Sequence, residues 1–136
     1  MSERKPIYVT KAFVPPIEEY TAQMRRIWAS GQLTNQGPLA LELEKLLAER
    51  LGVPHCLFMA NGTLAIQLAL RALGVKGRVI TTPYSYVATV SSILWENCEP
   101  VFVDIDPATT CIDPDAVERS LENGGASAIL ATHVYG

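Results

Sequence analysis

Residues 55–66, His55-Cys56-Leu57-Phe58-Met59-Ala60-Asn61-Gly62-Thr63-Leu64-Ala65-Ile66, pass from one hydrophobic rhythm to another across a single turn. Cys56-Leu57-Phe58-Met59 is an unbroken apolar run of strand length. Asn61 is a good helix N-cap, and the apolar positions that begin at Leu64 continue to Leu73, where Gly74 stops them. A strand that feeds directly into an apolar helix reads as the start of a βαβ unit.

The same alternation continues downstream. Arg78-Val79-Ile80-Thr81 predicts a second strand, Ser85 to Glu96 a helix, Val101-Phe102-Val103 a third strand, Pro114 to Glu122 a helix capped by Asp113, and Ala128-Ile129-Leu130-Ala131 a fourth strand. Strand and helix in strict turn predict an α/β fold around a mainly parallel sheet. Upstream, Pro15-Pro16 breaks the chain, and Ile17 to Ser30 has helical spacing with Tyr20, Met24, Ile27 and Trp28 on one face and Gly31 as its stop. Residues 32–37 read as a loop. Pro38 opens a second helix, in which Leu39, Leu43, Leu47 and Leu51 recur every fourth residue, Leu46 widens the stripe and Gly52 ends it.

Composition excludes several classes. Of 136 residues 49% are apolar and 18% charged, so the chain can bury a core rather than stay disordered. A net charge of −3 with no basic block argues against nucleic acid as a partner. The longest apolar candidate, Tyr86 to Trp95, is interrupted by Thr89, Ser91 and Ser92, and the N-terminus has no signal-peptide pattern. No membrane partner and a cytoplasmic location are therefore expected. Cys56, Cys98 and Cys111 are too few and too irregular for a disulfide framework or a metal site, and all three read as structural, Cys56 as a small core residue.

In parallel sheets ligands bind beyond the carboxyl ends of the strands. That rule selects residues 60–63, 83–86, 104–106 and 132–136. At Asn61-Gly62-Thr63 free N–H groups meet the positive end of a helix dipole, which suits an anion; the competing reading is an ordinary Asn cap with a glycine turn. The following helix is apolar almost all round, with a single polar line of Thr63, Gln67 and Arg71, so it is expected to be buried on most sides and its start held rigidly. The motif lacks the Gly-Lys-[Ser/Thr] of a P-loop, and no Gly-x-Gly-x-x-Gly follows a strand. Tyr84 and Tyr86 put two aromatics on the same rim, either stacked on a flat heterocycle or packed in the core. Asp104 and Asp106 share a face if extended, but Pro107 favours a turn. His133 lies at the ligand edge and is a candidate site-lining residue; His55 lies at the far end.

Taken together, Leu33 to Pro38, Asn61 to Ala65, Val79 to Thr89, Pro100 to Asp106 and His133 to Gly136 resemble, in order and spacing, the DegT/DnrJ/EryC1/StrS nucleotide-sugar aminotransferases. The resemblance implies a three-layer αβα sandwich, the N-terminal part of an aspartate aminotransferase-like, pyridoxal-phosphate (PLP) fold-type I large domain. Residues 1–35 would form an N-terminal arm and helix, and residues 36–136 the first part of the PLP-binding domain. It implies that Gly62 and Thr63 hold the pyridoxal 5'-phosphate phosphate, that Tyr86 stacks on the pyridine ring, and that Asn35 reaches substrate or a partner subunit; Asn61, like His133, is a candidate site-lining residue by its place at the ligand edge. It also implies a nucleotide-sugar substrate, glutamate as amino donor and a homodimer.

In the family, a Schiff-base lysine and an aspartate paired to the pyridine nitrogen follow the His-x-Tyr-Gly stretch, so both are expected beyond Gly136. Lys5 and Lys11 belong to the arm, Lys45 to the polar side of a helix, and Lys76 to a connector at the wrong end of the sheet. The chain alone is therefore expected to be catalytically incomplete. A sugar dehydratase of the same family, or a non-catalytic α/β module binding a phosphorylated ligand, are the alternative readings.

Overall fold

A computed structural model describes residues 7, 8 and 10–135; Lys5 and Gly136 lie outside the described residues. The chain divides into two compact units, residues 1–58 and 59–136.

The first unit holds α1 (Ile17–Ser30) and α2 (Pro38–Leu51). Both match the spans expected from the sequence, because each has a proline at its start and a glycine at its end. Gly31 and Gly52 adopt left-handed conformations at φ 65° and 66°, where a Cβ is disfavoured. Arg26 forms an ion pair with Glu42, joining the two helices. No residue of either helix is buried, so the apolar stripes set helical periodicity without making a core of their own.

The second unit contains α3 (Gly62–Ala72), β1 (Arg78–Thr81), α4 (Val87–Trp95), β2 (Glu99–Phe102), α5 (Pro114–Glu122) and β3 (Ala128–Ile129). The sheet is parallel, in the order β2-β1-β3. Val79 and Ile80 point to opposite faces of the central strand and both are fully buried, so the sheet is covered on both sides. Leu70 of α3 and Ile93 of α4 pack with Val79 and Cys98 in one cluster. Right-handed crossovers from β1 to β2 and from β2 back across β1 to β3 require α4 and α5 on opposite faces.

Several expectations need correction. Cys56-Leu57-Phe58-Met59 is not a strand. A strand needs a neighbouring backbone, and among the described residues no ladder forms with this run. The Phe58 N–H instead donates to a Glu44 carboxylate oxygen at 2.8 Å. Cys56 is only partly buried, not a core residue; Cys98 is the buried thiol. The helix expected from Ser85 begins at Val87, because the Pro83 carbonyl accepts the Ser85 N–H at 2.9 Å and Tyr86 is extended at ψ 146°. β2 starts earlier than Val101 and includes Pro100. Glu99 and Val103 N–H groups donate to Gly77 and Thr81 carbonyls, so by alternation the Pro100 nitrogen faces away from β1. β3 stops at Ile129, short of Ala131; the Thr81 hydroxyl takes the Leu130 carbonyl at 2.8 Å and ends the regular ladder. Finally, α3 is not buried on most sides. Only Leu70 is buried, while Leu64 and Leu68 are exposed, because a three-stranded sheet and one neighbouring helix cover a single flank.

Candidate functional site

Asn61 decides between the two readings of the α3 start, and both hold in part. Its side-chain oxygen accepts the Leu64 N–H at 3.0 Å, an ordinary N-cap. Its carbonyl accepts the Ala65 N–H at 3.3 Å. The N–H groups of Gly62 and Thr63 and the Thr63 hydroxyl then remain uncommitted among the described residues. A Cβ built on Gly62 meets nothing within 4 Å, so the backbone there is open to close approach. The donor set is therefore two aligned N–H groups and one hydroxyl at the positive end of an eleven-residue helix, which fits a phosphate.

Two contacts orient α3 against α4. The Ser92 hydroxyl donates to the Thr63 carbonyl at 3.4 Å, and Arg71 Nε lies 2.8 Å from a Glu96 carboxylate oxygen. Moving along α3 from Thr63 to Arg71 moves along α4 from Ser92 to Glu96, so the helices run the same way. Both start at the carboxyl edge of the sheet.

A cleft of about 450 Å³ opens on that edge between the loops that follow β1 and β3. Pro83, Tyr84, Ser85 and Tyr86 line one side, and Thr132, His133 and Val134 the other. Two of the candidate residues, Tyr86 and His133, thus come together. Tyr86 is 78% exposed and, among the described residues, no hydrogen bond holds its ring, so it presents an open aromatic face. His133 Nδ1 lies 3.8 Å from Cys111 Sγ, which brings the loop after β2 to the same rim. Gly62, Thr63 and Asn61 do not line this cleft; they stand at the neighbouring helix start.

Asn35 belongs to the first unit. It lines a separate cleft of about 230 Å³ with Ile27, Gln32 and Pro38. Asn35 and Gln36 are left-handed at φ 40° and 52°, and the Gln32 side-chain amide holds both carbonyls at 3.0 and 3.3 Å. Asp104 and Asp106 form turns rather than a carboxylate pair. Asp106 Oδ1 accepts the Ala108 N–H at 2.6 Å, and Asp104 Oδ1 accepts the Ile105 N–H at 2.8 Å. Lys76 stands before β1, at the opposite end of the sheet from the cleft.

Sequence reasoning missed a cluster of hydroxyls in the cleft wall. Ser85 Oγ lies 2.6 Å from Thr89 Oγ1 and 3.1 Å from Thr132 Oγ1. The available signal was the four-residue spacing of Ser85 and Thr89, which stacks side chains wherever the chain is about to turn helical. The Tyr84 and Tyr135 hydroxyls are 3.4 Å apart, and that hydrogen bond, followed by the repulsion between two neighbouring phenolates, raises the Tyr84 pKa above its ordinary value.

Comparison with known proteins bears on this arrangement. The model of the DegT/DnrJ/EryC1/StrS aminotransferase family matches residues 16–136. A dTDP-4-amino-4,6-dideoxy-D-glucose transaminase of Shigella dysenteriae is 48% identical over 132 residues, which cover 97% of this chain and 36% of that protein. The crystal structure of DesI with its TDP-sugar product superimposes with a TM-score of 0.81 at 34% identity, over 89% of this chain and 31% of that one. A structure of NtdA from Bacillus subtilis with bound cofactor PMP gives a TM-score of 0.79 at 33% identity, over 88% of this chain and 28% of that one. The chain spans about a third of the length of these proteins.

Proposed function

The chain belongs to the DegT/DnrJ/EryC1/StrS aminotransferase family, and on that premise we propose that it forms the N-terminal part of a PLP-dependent aminotransferase acting on a nucleotide-linked keto-sugar. Its fold is that of the PLP fold-type I aminotransferases, α/β with a small parallel sheet. The observation that carries the reading is the helix start at Gly62 and Thr63, whose three uncommitted donors stand at the same sheet edge as the free ring of Tyr86.

Bound pyridoxal 5'-phosphate supplies the electron sink that amino transfer needs. The residues of this chain bind and orient it. The Gly62 and Thr63 N–H groups and the Thr63 hydroxyl hold the phosphate, with the α3 dipole favouring its charge. Asn61 supports them indirectly, by capping the helix. Tyr86 stacks on the ring and fixes its plane. His133 contributes to the wall of the cleft, and Asn35 serves substrate or a partner subunit. Residues 36–136 are the first part of the cofactor-binding domain, behind an arm and helix in residues 1–35. The lysine and aspartate that complete the chemistry belong to the remainder of the protein, as the family resemblance implies; Lys76 stands before β1, at the end of the sheet away from the cleft. Glutamate is the amino donor, and the protein is a cytoplasmic homodimer.

The test uses the full-length protein with Thr63→Ala. PLP affinity, read from the cofactor's visible absorbance, is expected to fall about tenfold or more, since a charge-assisted hydrogen bond is lost. Unchanged affinity sinks the phosphate assignment. Amino transfer to dTDP- and UDP-linked keto-sugars is assayed with glutamate and glutamine as donors; no transfer from either removes the transaminase reading. The 136-residue chain alone is expected to transfer nothing.

A further inference from the structure

What holds Tyr86 in place is not its own side chain. The ring is exposed, and α4 has no side-chain cap at its start. The constraint comes from the turn's other contacts: the Tyr84–Tyr135 hydroxyl pair at 3.4 Å and, with three partners, Ser85. Its half-buried hydroxyl contacts Thr89 Oγ1 at 2.6 Å, Thr132 Oγ1 at 3.1 Å and the Tyr86 carbonyl at 3.3 Å. Thr89 is buried at 7% exposure and anchors the group in α4. Thr132 belongs to the loop after β3. Thr82, fully buried, fixes the other side of the turn by accepting the Tyr84 N–H at 3.2 Å.

A hydroxyl has one proton and two lone pairs. Three partners inside the protein therefore saturate Ser85, and none of its capacity remains for a ligand. We infer that Ser85 is a positioning residue, a strut that locks the Tyr86 ring platform to the loop carrying Thr132 and His133 across the cleft. An aromatic orients a flat ligand only if its own plane is held, and an exposed ring on an untethered turn is not. The inference rests on the proposed role of Tyr86 as the stacking ring.

The experiment compares Ser85→Ala and Ser85→Thr in the full-length protein, by two readouts. Hydrogen exchange of residues 83–86 and 132–134 is measured without cofactor, and PLP affinity and visible circular dichroism with it. Ser85→Ala is expected to speed exchange in both loops, weaken PLP about three- to tenfold and diminish the dichroism. Ser85→Thr keeps the hydroxyl and is expected to behave as wild type. Wild-type exchange and affinity in Ser85→Ala overturn the inference, as does Ser85→Thr failing as badly as Ser85→Ala. If Ser85→Ala does not fold, Thr132→Val removes one arm of the strut at constant shape; unchanged exchange in residues 83–86 then overturns it. A wild-type protein that does not bind PLP removes the functional reading, while the exchange data still judge the strut.

Discussion

The hydroxyl of Tyr84 lies 3.4 Å from the hydroxyl of Tyr135, so a phenol pair bridges the loops that leave β1 and β3. The Tyr135 hydroxyl raises the Tyr84 pKa, by hydrogen bonding first and by phenolate repulsion second. A group whose folded pKa is raised contributes stability that is present in full below its unfolded pKa, about 10 for tyrosine. That contribution is lost as pH rises through the folded value. Ultraviolet titration should therefore show one tyrosine ionising late. Tyr135→Phe should bring it back toward the ordinary range.

The cap and the anion site at the α3 start can be separated by charge. Asn61→Ala removes the acceptor of the Leu64 N–H and is expected to cost about 1 kcal/mol in urea unfolding. Asn61→Asp keeps the acceptor, so stability should hold. Its carboxylate stands beside the free Gly62 and Thr63 donors, so affinity for phosphate-bearing ligands should fall while the fold does not. Equal affinity in Asn61→Asp and wild type would place the phosphate elsewhere.

Arg71 and Glu96 make the ion pair that links α3 to α4 at 2.8 Å. The Glu96 side chain is only 9% exposed, whereas that of Arg71 is 67% exposed. Arg71→Met leaves a poorly solvated carboxylate without its partner and is expected to cost about 1–3 kcal/mol. Adding Glu96→Gln should recover part of that loss, because the stranded charge is gone. A double-mutant cycle by chemical denaturation measures the coupling, and additive costs would mean that the pair contributes nothing.

Thr110 is a β-branched residue in the left-handed region, at φ 58°. Such a conformation is strained for Thr and unstrained for Gly. Thr110→Gly is therefore expected to raise stability by up to about 1 kcal/mol, after the larger entropy of the unfolded glycine is offset. Thermal unfolding reads the sign directly. A lower melting temperature would show that the hydrogen bond from the Thr110 hydroxyl to the Thr109 carbonyl outweighs the strain.

Helices were legible wherever punctuation and periodicity agreed. α1, α2 and α5 start where Pro16, Pro38 and Asp113 place them, and α1 and α2 end at Gly31 and Gly52, since each signal acts over a few residues. Strands were less legible at their ends. Glu99 and Pro100 carry no strand propensity, and they join β2 only because Gly77 offers a carbonyl. Cys56 to Met59 has the right composition and no ladder. Of the candidate site residues, Gly62 and Thr63 could be read from the helix start alone. Strand-end placement put Tyr86 and His133 on one sheet edge, but that their loops, 47 residues apart in sequence, share a cleft follows from the pairing of β1 with β3.

By itself, then, the amino-acid order determined the alternation of strand and helix from β1 onward, the capped and donor-rich start of α3, and the sheet edge that carries the candidate site. These depend on local hydrogen bonding and on the fixed handedness of crossovers. Tertiary structure alone decided which loops share a cleft, and that the Ser85–Thr132 hydroxyl contact and the Tyr84–Tyr135 pair tie its walls together. Those outcomes depend on which backbones become neighbours across the sheet, and no local spacing encodes that.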